Sequence, residues 1–131
     1  MLAVCLGAAT KLAPYLLADD KAYEAEGILG VEMDTLDRTG IVIATREVAV
    51  TREAMLAAIA KRTGAQEQVP PMYSALKQGG ERLYDLARAG VEVQRLPRKI
   101  RIDRLELLRF DPPRFANAIE CSKGTYVRSL V

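Results

Sequence analysis

Histidine is absent from the 131 residues, and that alone removes several kinds of chemistry. A His/Cys zinc site, a Ser-His-Asp triad and a Cys-His pair all need an imidazole that this chain does not carry. Cysteine is nearly absent too. Cys5 and Cys121 are the only two, far apart, at the spacing of neither a metal-ligand pair nor a redox motif, and they read as reduced, buried thiols of a cytosolic protein. No apolar run approaches the ~18 residues of a membrane-crossing helix, because Lys11, Asp19, Asp20 and Lys21 interrupt the first stretch. Residues 1–9 are apolar but carry no basic leader and no small-residue cleavage site, so no signal peptide is expected. A glycine-rich phosphate loop is missing as well. Chemistry here has to run on carboxylates, tyrosines, lysines and arginines, or on groups supplied from elsewhere.

What is present fits one soluble domain with 50% hydrophobic residues. The formal charge of +2 hides an asymmetry. Residues 1–60 hold five Lys/Arg against nine Asp/Glu, and residues 61–131 hold fourteen against eight. The densest basic stretch is Arg95, Arg98, Lys99, Arg101 and Arg104, opposed only by Asp103. Such a cluster suits phosphate neutralisation on a nucleic acid. It equally suits a strand edge defended by charge, and charge alone does not choose between them.

Along the chain, helix and strand patterns alternate. Leu2 to Leu6 is an apolar run ended by Gly7 and reads as a buried strand. Leu12, Tyr15 and Leu16 fall at helical spacing, stopped by Asp19-Asp20. Tyr23 to Val31 places Tyr23, Ala25, Gly27, Leu29 and Val31 at period two, a strand with one wet face. Asp37-Arg38-Thr39-Gly40 reads as a turn, and Ile41 to Ile43 as the returning strand. Thr51 caps a helix that carries Met55, Leu56 and Ile59 and ends at Gly64. Gln66 to Gly80 contains Pro70-Pro71 and Gly79-Gly80 and reads as a long irregular connection. Arg82 to Ala89 is a short helix stopped by Gly90. Ile100, Ile102, Leu105 and Leu107 mark a strand whose phase slips by one, as at a bulge. Phe115, Asn117, Ile119 and Cys121 alternate in its antiparallel partner. The pattern predicts an α+β fold: a mixed, largely antiparallel sheet with flanking helices.

Both ends read as cut. The chain opens inside an apolar stretch and stops just after Tyr126-Val127-Arg128-Ser129-Leu130, whereas domains usually end in exposed polar segments. Residues 1–131 are therefore expected to form a partial domain.

Four segments carry a resemblance that covers essentially the whole chain. Gln68-Val69-Pro70-Pro71-Met72-Tyr73-Ser74-Ala75-Leu76-Lys77, followed by Arg82 to Gly90, closely resembles a signature of the TruB family of pseudouridine synthases. Cys5 to Lys11 is similar to the segment that follows the family's catalytic motif. Asp20-Lys21-Ala22-Tyr23-Glu24-Ala25, leading into Leu29-Gly30 and Asp34-Thr35-Leu36-Asp37, resembles its Lys-x-Tyr strand. Cys121-Ser122-Lys123-Gly124-Thr125-Tyr126-Val127-Arg128-Ser129-Leu130 resembles its C-terminal active-site motif. The Val-Pro-Pro-Met-Tyr-Ser-Ala-Leu-Lys wording looks bacterial rather than like the archaeal and eukaryotic guide-RNA relatives.

The resemblance implies an isomerase, a tRNA pseudouridine synthase acting in the cytoplasm on the conserved T-loop uridine (position 55). It implies the tRNA T-arm as partner, no metal, no organic cofactor, no membrane and no obligate protein partner. Tyr23 matches the family's base-stacking tyrosine, and Arg128 the arginine that pairs with its catalytic aspartate. Tyr126 matches a tyrosine lining the uracil pocket. Lys77 and Lys123 are candidates for phosphate contact. The family's Gly-x-Leu-Asp-Pro motif, with its aspartate, would fall just before Met1, with a histidine further upstream. The RNA-binding C-terminal domain would follow Val131. The chain is thus expected to be inactive by itself, with Arg128 either recruiting another acid or lying exposed. Asp34 and Asp37 are a tempting carboxylate pair, but they match the family's turn segment, and a turn explains Asp and Thr there. The alternative function is a tRNA-binding or folding module without catalysis.

Overall fold

The computed structural model describes residues 4–18 and 20–130. Its core is a four-stranded antiparallel sheet in the order β1-β8-β7-β4, so the α+β expectation holds. The two longest partners are β7 (Arg98–Asp111) and β8 (Arg114–Cys121), joined through Pro112-Pro113, whose peptide is cis. β1 (Lys21–Ile28) closes one side of β8, and β4 (Gly64–Gln68) closes the free side of β7. Two small hairpins stand apart from this sheet: β2 (Val31–Met33) with β3 (Val42–Thr45), and β5 (Lys77–Gln78) with β6 (Glu81–Arg82).

β8 is buried because it is central and because its alternation is clean. Phe115, Asn117, Ile119 and Cys121 are buried, while the residues between them are half-buried or exposed, as period two demands of a sheet covered on one face. In β7 the register shifts between Ile102 and Arg104, and again between Leu107 and Arg109. The first shift is the phase slip anticipated from sequence. Each inserts an extra residue and returns the next apolar side chain to the covered face.

Two apolar clusters cover that face. Met55 and Ile59 of helix α2 (Arg52–Arg62) pack on Leu107 and Phe115. At the other end Ile100, Ile102, Ile119 and Cys121 form a second cluster, against which Val127 and Leu130 are seated. Thr51 caps α2 by accepting the Ala54 N–H at 3.2 Å, and Glu53 sits in the positive first turn. Leu56, expected to face inward, is 44% exposed. It follows Met55 by one residue, about 100° round the helix, and so points away from the sheet.

Other expectations need correction. Val4 and Leu6 are exposed and belong to no strand. Nothing among the described residues pairs with them, and an extended segment without a ladder partner is not a strand. Leu2, Ala3 and Asp19 lie outside the described residues. The helical stretch starts as a 3-10 turn at Gly7–Leu12 and continues as α1 (Ala13–Ala18), with Leu12 and Tyr15 facing solvent. The irregular connection begins at Val69, three residues later than expected, because Gly64 to Gln68 pair with Ile102 to Arg98. Gly79-Gly80, both at positive φ, turn the β5–β6 hairpin, and α3 (Leu83–Arg88) follows directly, ending before Gly90 at φ 72. Gly30, at φ 79, is required sterically as well: a Cβ there would strike the Arg46 carbonyl and come within 2.7 Å of the Val48 side chain.

The two thiols are free, with Cys5 half-buried and Cys121 fully buried. Burial pushes the Cys121 thiol above its ordinary pKa. Iodoacetamide at mildly alkaline pH should therefore modify Cys5 first and leave Cys121 unmodified until the chain is unfolded. Equal labelling of both in mass spectrometry of the native chain would show that the second cluster is open.

Candidate active site

The segment after β8 is held by the sheet it leaves. Ser122 accepts the Arg101 N–H on its hydroxyl at 2.9 Å and donates its own N–H to the Arg101 carbonyl at 2.9 Å. Gly124 at φ 81 then reverses the chain, and the Thr125 hydroxyl closes the turn on the Ser122 carbonyl at 2.8 Å. Beyond it, Val127–Ser129 form a single 3-10 turn. With Val127 and Leu130 seated on the second cluster, the turn presents Arg128 and Tyr126 elsewhere.

Gln68, the last residue of β4, reaches this segment from 58 positions away. Its Oε1 accepts the Tyr126 N–H at 2.9 Å, and its Nε2 donates to the Tyr126 carbonyl at 3.0 Å. Arg128 is half-buried, and its Nη2 donates to the backbone carbonyl of Tyr73. Its guanidinium carbon lies 5.9 Å from the centre of the Tyr126 ring, within cation–π range. Arg128 thus neither recruits another acid nor lies exposed: among the described residues it has no ion pair, and a carbonyl holds it instead. A carbonyl supplies a partial negative charge without a second ion to desolvate, which suits a half-buried cation.

Tyr23 pairs with Ile119 across β1 and β8. Directly opposed residues in an antiparallel pair point to the same side, so Tyr23 shares the face on which Val127 and Leu130 sit. Its ring is 42% exposed at the sheet edge. The structure thus brings Tyr126 and Arg128 within cation–π range of each other and puts Tyr23 on the sheet face where their neighbours Val127 and Leu130 are seated. It does not gather Lys77 or Lys123 with them: both are exposed, in β5 and in the Gly124 turn, and neither makes an ion pair among the described residues.

The aspartates do what a turn asks. Asp34 Oδ1 accepts the Ile41 N–H at 2.7 Å, and Asp37 Oδ1 accepts the Thr39 N–H at 3.4 Å. A Cβ on Gly40 would collide with the Asp34 carboxylate, so the turn is tight. Asp34 has one outward tie, accepting the Tyr73 hydroxyl at 3.5 Å through Oδ2.

Arg101 and Arg104 of the basic stretch, and Arg109 beyond it, are neutralised on the opposite face of the sheet. Arg101 pairs with Asp103 at 2.6 Å and Asp20 at 3.2 Å; Arg104 pairs with Glu106 and, at 3.2 Å, with Glu120; Arg109 pairs with Glu26 at 2.7 Å. The hydrogen bond to Asp103 holds Arg101 further from deprotonation, and that to Glu106 does the same for Arg104. β7 is an inner strand of the sheet and not an edge strand; the charges of these arginines are taken up by carboxylates across its exposed face. Around α3 the charges are arranged differently: the Arg82 and Arg88 guanidiniums lie 5.7 and 5.4 Å from the centre of the Tyr84 ring, Arg82 also donating to the Tyr84 hydroxyl at 3.0 Å, without carboxylate ion pairs among the described residues.

Gln68 and Tyr73 were not singled out by sequence, although both lie in the quoted signature. One signal was available. Pro70 and Pro71 have no N–H to offer, so at these positions the loop can tie to its neighbours only through carbonyls. Among the described residues, no group of three or more His, Cys, Asp or Glu is placed to hold a metal ion. Nor is any helix long and apolar enough to cross a membrane.

A model of the TruB family pseudouridylate synthase N-terminal domain matches residues 1–127. The chain belongs to the TruB family. It is 50% identical over 131 residues to a tRNA pseudouridine synthase B of Pseudomonas paraeruginosa, covering all of this chain and 43% of that protein. With the protein of the same name from Aromatoleum aromaticum it shares 52% identity over 130 residues, 99% of this chain and 42% of the relative. The TruB-family chain thus spans under half the length of these relatives. Among solved structures, a chain of a Cbf5-Nop10-Gar1 complex superposes with a TM-score of 0.60 at 20% identity, covering 93% of this chain and 27% of that one. That likeness concerns the fold.

Proposed function

We propose that this chain is the part of a tRNA pseudouridine synthase that stacks the target base and holds the catalytic carboxylate. Its substrate is then the T-loop uridine of tRNA (position 55), converted in the cytoplasm without metal or organic cofactor and without an obligate protein partner. The observation that carries the reading is the Arg128–Tyr126 pair, locked by Gln68 and Tyr73, whose neighbours Val127 and Leu130 are seated on the sheet face that bears Tyr23.

The chemistry fits that assembly. Breaking a glycosidic bond and rejoining the uracil through carbon requires the nucleotide to leave its stack. A half-exposed tyrosine at a sheet edge offers the base a flat apolar face, worth about 1–3 kcal/mol. A fork-shaped guanidinium already desolvated on one side orients a carboxylate by paired hydrogen bonds. In this proposal the carboxylate comes from outside the chain, and Asp34 and Asp37 remain turn residues. The guanidiniums of Arg82 and Arg88 near Tyr84, free of carboxylate ion pairs among the described residues, suit an RNA backbone and its bases, and Lys77 and Lys123 are exposed for phosphate contact.

The test uses an unmodified T-arm stem-loop, with pseudouridine mapped by chemical adduct and primer extension. The 131-residue chain alone should convert none of it. A chimera in which this chain replaces the matching region of the Pseudomonas paraeruginosa relative should convert it. Conversion by the chain alone would make an acid within it the nucleophile and sink the proposed division of labour. Tight T-arm binding with no conversion by either protein would point instead to a non-catalytic tRNA-binding or folding module.

A further inference from the structure

We propose that Gln68 is a positioning residue for the reaction, its carboxamide setting where Tyr126 and Arg128 stand; this rests on the functional reading above. A carboxamide is the side chain that presents an acceptor and a donor side by side. Here both are used on the backbone of one residue: Oε1 takes the Tyr126 N–H at 2.9 Å, and Nε2 reaches the Tyr126 carbonyl at 3.0 Å. The pairing imitates one rung of a β-ladder at the point where the main chain has left the sheet. Tyr126 N–H has no other hydrogen-bond partner among the described residues, while its carbonyl also takes the Ser129 N–H at 3.0 Å and so opens the turn that carries Arg128. Gln68 therefore fixes Tyr126, the residue that opens that turn.

The same loop fixes the other end. Five residues on, the Tyr73 carbonyl accepts from Arg128. Between the two anchors stand Pro70 and Pro71, both buried, whose rings lock φ. A stiff loop with one anchor at each end keeps Tyr126 and Arg128 in register with each other. The far side of Tyr73 is tied to Asp34 through its hydroxyl at 3.5 Å. Gln68 touches neither substrate nor reacting atoms in this arrangement and acts only through the residues it holds.

Two variants test it in the chimera: Gln68→Leu, which removes both hydrogen bonds, and Gln68→Glu, which keeps the acceptor but turns a lone pair toward the Tyr126 carbonyl. Misplacing a positioned group costs on the order of 10²-fold, so Gln68→Leu should lower kcat by about 10- to 100-fold with KM for the T-arm changed less than about threefold. The introduced carboxyl of Gln68→Glu becomes a donor once protonated. Its activity relative to the unaltered chimera should therefore climb as pH falls from about 8 to about 5.5, toward the carboxyl range. Matched melting curves confirm folding. Unchanged kcat in Gln68→Leu, a loss confined to KM, or a pH-independent defect in Gln68→Glu would each overturn the positioning role. An inactive chimera with Gln68 intact would instead overturn the functional reading, and this role with it.

Discussion

Replacing Arg128 by alanine in the chimeric enzyme is expected to lower single-turnover conversion of the T-arm by about 10²- to 10³-fold, the loss typical of removing one preorganised charge-stabilising group. The expectation follows from how the guanidinium is held. One edge is fixed by the Tyr73 carbonyl, and the plane is steadied against the Tyr126 ring. The remaining donors are left to face a carboxylate without reorganising. Alanine removes the charge and also leaves the Tyr73 carbonyl without its donor, so some local loosening accompanies the chemical defect. Arg128→Lys separates the two effects. An ammonium keeps the charge but cannot serve the carbonyl and a carboxylate together through a planar fork. It should recover less than about a tenth of the activity while restoring the melting temperature. If lysine performs like arginine, charge alone is what the site needs, and the geometry described above is incidental.

Ile119→Ala should cost about 2–5 kcal/mol of stability, read from urea unfolding of the chain followed by circular dichroism. Ile119 is 1% exposed on the central strand β8, between Tyr23 of β1 and Leu105 of β7. Truncation removes three carbons from a position where neighbours on both sides are fixed by ladder hydrogen bonds and cannot close the gap. Leu56→Ala is the internal control. The same kind of truncation on the solvent side of α2 should change stability by less than about 0.5 kcal/mol. Similar losses in both variants would mean that Leu56 is covered in solution, and that the assigned face of α2 is wrong.

Where the fold was legible in sequence, the residues themselves carried the period. Phe115 to Cys121 alternate large and inward, the slip at Asp103 showed as a break in that alternation, and Thr51 announced its helix by chemistry at a single position. Where it was not legible, the pattern was silent or lacked its partner. β4 puts Gly64, Gln66 and Gln68 on the covered face, so no apolar period marks it. Leu2 to Leu6 is apolar enough for a strand, but strand formation is decided by a second chain segment. The site divides in the same way. Tyr23, Tyr126 and Arg128 were named through resemblance to a family, and the structure shows Tyr126 and Arg128 within cation–π range and Tyr23 on the sheet face where Val127 and Leu130 are seated. Their support was invisible for a physical reason: Arg128 is held by the backbone carbonyl of Tyr73, an atom that every residue possesses. Gln68, although a side chain, works on backbone N–H and carbonyl groups and leaves no mark at the position it holds.

The long strand β7 serves two apolar clusters, one under α2 and one under the turn that carries Arg128, and Leu105 is packed against both. That arrangement separates the consequences of substitution at the two ends. A change in Met55 or Ile59 disturbs the packing under α2, whereas a change in Ile100 or Ile102 disturbs the seats of Val127 and Leu130. Loss at the helix end is therefore felt as stability alone, while loss at the other end also shifts the turn that carries Arg128. Leu105 is the position where those two regimes meet.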